Sequence, residues 1–125
     1  MTIDAASQLS VRLFVYGTLK RGHARAHYLN AQQFLGPAMT CPLYRLVNCG
    51  DYPGLVRWQP GEAIQGELWQ VTGKCLRILD QVEGVPSNLY QRAEVALLQP
   101  QHAGPVFTYL YQPDATDLPS CGTCW

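Results

Sequence analysis

Proline and glycine set the first limit on what this chain can fold into. Between residues 34 and 56 it is cut by Pro37, Pro42 and Pro53 and by Gly36, Gly50 and Gly54. Proline lacks a backbone donor and glycine marks turns, so only short strands such as 44–48 fit between these breaks. Elsewhere the pattern is regular. Val11, Leu13 and Val15 alternate with Arg12, Phe14 and Tyr16, which predicts a strand ending at Gly17. Segments 62–71, 89–98 and 106–111 are also expected as strands, and 24–33 as a short helix. The clearest helix spans 73–83, where Cys75, Ile78, Leu79 and Val82 fall at i, i+3, i+4 and i+7. Gly84 stands where a left-handed cap is usual, and Pro86 prevents continuation. Short strands with helices between them imply an α+β fold, its mixed sheet curled into a small β-barrel with flanking helices.

Length and composition narrow the class. A chain of 125 residues suits one domain. The expected division is a flexible N-terminus (1–10), one domain (11–112) and a C-terminal tail (113–125). Nine basic residues balance nine acidic ones without a Lys/Arg cluster, which argues against nucleic acid as a partner. No run approaches the ~18 apolar residues of a membrane span, and the first eight residues lack a secretory pattern. With no export signal, five cysteines fit a reduced, cytoplasmic setting without disulfides. Cys121-x-x-Cys124 has neither a second pair for zinc nor the context of a redox motif, so a free tail is expected there.

Two constellations carry chemistry. The first is the turn Tyr16-Gly17-Thr18-Leu19-Lys20-Arg21-Gly22 after the first strand. Glycine permits positive φ, and successive N–H groups can then converge on an anion. Gly17 and Gly22 have the spacing of a phosphate-binding P-loop. However, His23 and Ala24 stand where that motif needs Lys and Ser/Thr, so it is rejected. A plain loop with two glycines stays open. The second is Glu83, which extends the row Leu76–Leu79 at the helix C-terminus, where the macrodipole disfavours negative charge. Burial there would raise its pKa and suit it to proton transfer. The alternatives are a surface glutamate at a frayed end or a partner for Arg92. Asp80 competes one turn earlier and is expected to be solvated or capping.

In order along the chain stand Leu13-Phe14-Val15-Tyr16-Gly17-Thr18-Leu19-Lys20-Arg21-Gly22, Tyr52-Pro53-Gly54-Leu55-Val56 and Gly66-Glu67-Leu68-Trp69. Leu79-Asp80-Gln81-Val82-Glu83-Gly84 and Leu89-Tyr90-Gln91-Arg92 follow. This series resembles the gamma-glutamylcyclotransferase-like (AIG2-like) family over about residues 11–111. The resemblance implies an enzyme that cleaves a γ-glutamyl amide by internal cyclisation, releasing 5-oxoproline and a free amine. It implies Glu83 as the catalytic residue and Tyr16, Gly17, Thr18 and Leu19 as the γ-glutamyl-binding loop. Tyr90 and Arg92 would line or support the pocket. No metal or organic cofactor is implied. The partner is a small γ-glutamyl substrate, and the chain is expected to be a monomer or weak dimer.

Other residues carry weaker signals. His23 and His27 share the i, i+4 spacing of a helical zinc pair, but neither they nor His102 find a third ligand. Trp58 and Trp69 read as packing residues, and Lys20 and Arg21 as solvated charges that could attract a substrate carboxylate. Two rival functions remain: a non-enzymatic module of this fold binding a small carboxylate, and a biosynthetic enzyme removing a γ-glutamyl protecting group.

Overall fold

Eight strands and one α-helix make up the computed structural model, which describes residues 10–101 and 104–125. Most of the expected flexible terminus, and His102, lie outside the described residues. Strands β1 (Ser10–Val15), β2 (Gln33–Thr40), β3 (Tyr44–Asn48), β4 (Pro53–Arg57), β5 (Gln65–Thr72), β6 (Tyr90–Glu94), β7 (Leu97–Gln99) and β8 (Val106–Tyr111) form one mixed sheet. Its order is β3-β4-β8-β1-β5-β2-β7, with β6 also paired to β8. β8 lies parallel to β1 and β4, and the other pairings are antiparallel. The sheet curls into a half-barrel, and helix α1 (Gly73–Val82) packs against β1 and β5.

Strand β1 is buried on both faces near its end. Leu13 and Val15 enter a cluster with Val71, Leu76 and Leu79, between sheet and helix. Phe14 enters a second cluster with Leu46, Leu55, Ile64 and Leu110, inside the curl. The alternation therefore separates two cores at the point where the chain enters the glycine turn.

Helix α1 starts at Thr72, whose side chain accepts from the Cys75 N–H at 3.1 Å. Glu83 is its C-cap residue, and Gly84 follows in the left-handed region at φ 69°. The buried row is rotated from the expected stripe. Cys75, Leu76 and Leu79 are buried, while Ile78 is 47% exposed. The row leading to Glu83 therefore faces the protein.

Three expectations change. Residues 24–33 form only a 3-10 turn, Ala26–Leu29, before β2 begins. Leu29 alone is buried in it, so no apolar stripe supports a helix. The 89–98 segment divides: β6 pairs with β8 and β7 with β2, on opposite parts of the sheet. The C-terminal tail is docked, not free. The Cys121 N–H donates to the Leu46 carbonyl and the Gln65 N–H donates to the Thr123 carbonyl, both at 2.8 Å. Ser120 bridges Val47, while Cys121 and Trp125 pack on the inner core. The open edge of β3 gives the tail backbone partners that no local sequence pattern announces. Among the described residues, no helix is long and apolar enough to cross a membrane.

Candidate active site

Where β1 ends, the chain turns beneath Pro53 of β4. A Cβ on Gly17 would stand 2.7 and 2.9 Å from the Pro53 ring, so glycine is required there by close approach. The positive φ expected in this loop occurs later, at Gly22 (80°). The turn is closed by bonds from the Lys20 N–H to the Gly17 carbonyl and from the Arg25 N–H to the Thr18 carbonyl, 3.0 and 2.7 Å. These leave the N–H groups of Gly17, Thr18 and Leu19 without a protein acceptor among the described residues. All three residues line a cleft of about 530 Å³, part of it open to solvent.

Glu83 lines the same cleft, as do Arg25, Pro53 and Tyr90. It is 8% exposed, and burial raises its pKa from 4.5 to about 7, with Arg25 pulling in the opposite direction. Its carboxylate accepts no hydrogen bond from the described residues. Nearly all of its interaction capacity is therefore available to a ligand.

The tyrosines shape the walls. Tyr16 donates its hydroxyl to the Tyr109 carbonyl at 2.6 Å and accepts from the Leu55 N–H at 3.2 Å. It thereby ties β1 to β8 and β4, and burial holds its pKa well above the usual value. Tyr90 donates to the Pro53 carbonyl at 2.6 Å and rests on Tyr52 and Tyr111. Its phenol is also pushed upward, chiefly by burial. Both hydroxyls are committed to the fold, so these residues meet the cleft through ring or backbone.

Arg92 does not line the cleft. It grips both oxygens of Asp80 at 3.0 and 3.1 Å, and Tyr109 donates to the same carboxylate at 2.7 Å. The expectation of a solvated or capping Asp80 is replaced by this three-residue junction. The alternative pairing of Arg92 with Glu83 is likewise absent. Lys20, expected to be solvated, is buried and donates to the Trp125 carbonyl at 2.7 Å. Arg21 bonds Glu67 at 3.1 Å and lies over the Phe34 ring. Neither cation reaches the cleft.

Sequence reasoning missed Arg25, Tyr52, Pro53 and Tyr109 as cleft residues. Tyr52-Pro53 opens the segment Tyr52-Pro53-Gly54-Leu55-Val56, but nothing local in it shows that it packs on the glycine turn. Arg25 gave no signal, since its place depends on a 3-10 turn where a helix was expected. Among the described residues no cluster of three or more His, Cys, Asp or Glu side chains could hold a metal.

One cleft of the curled half-barrel thus brings together a buried carboxylate and the residues of a turn whose backbone N–H groups are uncommitted. Residues 13–125 match the family described as gamma-glutamyl cyclotransferase, AIG2-like, and the chain belongs to that family. A gamma-glutamylaminecyclotransferase of Rattus norvegicus is 36% identical over 102 residues, covering 74% of this chain and 68% of the rat protein. A gamma-glutamylcyclotransferase family protein of Escherichia coli K12 is 31% identical over 103 residues, covering 82% and 83%. The crystal structure of an AIG2-like protein from Mus musculus superposes with a TM-score of 0.74 at 32% identity, covering 89% and 85%.

Proposed function

We propose that this protein cleaves a γ-glutamyl amide by attack of the substrate's own α-amine on its γ-carbonyl, releasing 5-oxoproline and an amine. The observation that carries this reading is Glu83, buried and raised to about pKa 7, in one cleft with Gly17, Thr18 and Leu19, whose N–H groups are uncommitted.

The nucleophile is tethered to its electrophile, so folding the glutamyl chain back removes much of the entropic barrier. No Ser or Cys nucleophile is needed. Ionised Glu83 takes a proton from the α-ammonium, and the freed amine attacks the γ-carbonyl carbon. The carbonyl oxygen becomes an oxyanion, which the N–H groups of Gly17, Thr18 and Leu19 stabilise. Protonated Glu83 delivers the first proton to the leaving nitrogen, the carbon–nitrogen bond breaks as the oxyanion collapses to the lactam carbonyl, and Glu83 then takes the second proton from the ring nitrogen and passes it to the released amine. Both protons lost by the nucleophile depart on the released ammonium. A group that accepts and then returns a proton works best with a pKa near the working pH. Tyr16 and Tyr90 hold the walls around this chemistry, and Arg92 acts at a distance through Asp80.

Incubation with a panel of γ-glutamyl amides and measurement of 5-oxoproline tests the reading. Turnover of at least one member is expected, with a loss of 10² or more in Glu83→Gln, which keeps shape but cannot shuttle the proton. Full turnover by that variant would remove Glu83 from the mechanism. Release from no member would leave a binding module of the same fold.

A further inference from the structure

The cleft lining contains two charged side chains among the described residues, Glu83 and Arg25. Arg25 is half-buried, and its guanidinium makes one long contact, 3.4 Å from Nη1 to the Val82 carbonyl. That contact engages one of five N–H donors. Arg25 influences Glu83 electrostatically yet forms no ion pair with it, so a gap separates acid from base. Such a gap suits a ligand carrying an ammonium and a carboxylate on the same carbon: the ammonium meets Glu83 and the carboxylate meets Arg25.

We infer that Arg25 binds the α-carboxylate of the γ-glutamyl group and so selects γ-glutamyl amides over amides lacking that carboxylate. The inference rests on the proposed cyclisation, in which the α-amine must lie against Glu83. The carboxylate is one carbon away from that amine and needs a counter-charge. The uncommitted N–H groups of the glycine turn are then left for the γ-carbonyl oxygen. A guanidinium also matches a carboxylate bidentately, which a backbone turn cannot supply with a full charge. An amino-acid leaving group would carry a carboxylate at a similar distance from the leaving nitrogen, so the source has to be separated by experiment.

Four amides do this: γ-glutamyl and 4-aminobutanoyl acyl groups, each joined to ethylamine or alanine. They are assayed by lactam release with wild type, Arg25→Gln and Arg25→Lys. Binding of 5-oxoproline and of 2-pyrrolidinone, the same ring without the carboxylate, is measured by calorimetry. Assayed well above pH 7, where Glu83 is ionised with or without the pull of Arg25, Arg25→Gln should lower kcat/KM about tenfold or more on both γ-glutamyl amides and leave both 4-aminobutanoyl amides within about twofold. It should weaken 5-oxoproline to a similar degree without altering 2-pyrrolidinone, and Arg25→Lys should recover part of each loss. Equal losses on all four amides would reduce Arg25 to a structural part. Losses confined to the alanine amides would move its partner to the leaving group. Either result overturns the inference. Tight 5-oxoproline binding that depends on Arg25, with no amide turned over, would instead overturn the cyclisation and keep the carboxylate site.

Discussion

In the proposed mechanism Glu83 sets function against stability. Its native pKa of about 7 lies above the ordinary 4.5, so the folded state holds this proton more tightly than the unfolded chain. Below pH 4.5 the residue is protonated in both states. As pH rises from 4.5 to 7 only the unfolded chain releases the proton, so stability falls across that window and levels above it. At ~1.4 kcal/mol per pH unit of difference, the loss has a ceiling near ~3 kcal/mol. Glu83→Gln should therefore be more stable than wild type at pH 8 and equal to it near pH 4, as checked by denaturant titration at both values. The same residue predicts an acid limb in kcat/KM near pH 7, with activity gained as Glu83 ionises. Gly17→Ala is expected to act differently, by forcing a methyl against Pro53 and displacing the turn from its wall. Overpacking of this kind costs roughly 1–3 kcal/mol, and thermal denaturation alongside kcat/KM should show both falling. Of these residues Glu83 was legible from helical spacing alone, because a helix fixes which side chains share a row. Gly17 was legible as a requirement but not for its cause, which lies 36 positions away in sequence.

At the scale of elements, the position of Glu83 is the position of the end of α1. The helix is held to the sheet by its buried row and by Asp80, which accepts from Arg92 on β6 and Tyr109 on β8. Tyr109 is itself largely buried, with its phenol pushed well above the usual range by burial and by the Asp80 bond. Removal of Asp80 leaves a buried hydroxyl and a guanidinium without their acceptor, the costly direction for a hydrogen-bond change. Asp80→Ala should lose about 1–3 kcal/mol in denaturant titration and lower kcat severalfold as the helix end shifts. Arg92→Ala should lose less than about 1 kcal/mol, since that arm of the junction is partly solvated. In Arg92→Ala the acid limb should stay near pH 7, because burial and Arg25, not Arg92, set the pKa of Glu83. The sequence disclosed the helix, its cap and its stop. It did not disclose this junction, because Asp80, Arg92 and Tyr109 come from three elements whose adjacency is decided by sheet order.

Across the whole molecule, the half-barrel is completed by a segment with no regular pattern. Pro113, Pro119 and Gly122 deny the tail any period, so its role was invisible in the sequence, whereas the alternating strands announced most of the sheet. The tail bonds to β3 and β5 and places Trp125 on the inner core. It also supplies the carbonyl that receives Lys20, the residue closing the glycine turn from behind. The tail therefore has two separable duties, burying apolar surface and holding the turn. Trp125→Ala removes the first and keeps the backbone carbonyl that Lys20 uses. Lys20→Met keeps the packing and an apolar stem of similar length, but loses the bond. Trp125→Ala should lower Tm by several degrees through lost burial, on the order of 1–3 kcal/mol, with KM for a γ-glutamyl amide little changed. Lys20→Met should shift Tm less and raise KM severalfold, because the N–H groups of Gly17, Thr18 and Leu19 lose their fixed backing. Thermal denaturation and steady-state kinetics on the two variants separate these outcomes. If both variants lower Tm and raise KM to the same extent, the tail acts as one clamp and Lys20 has no separate duty.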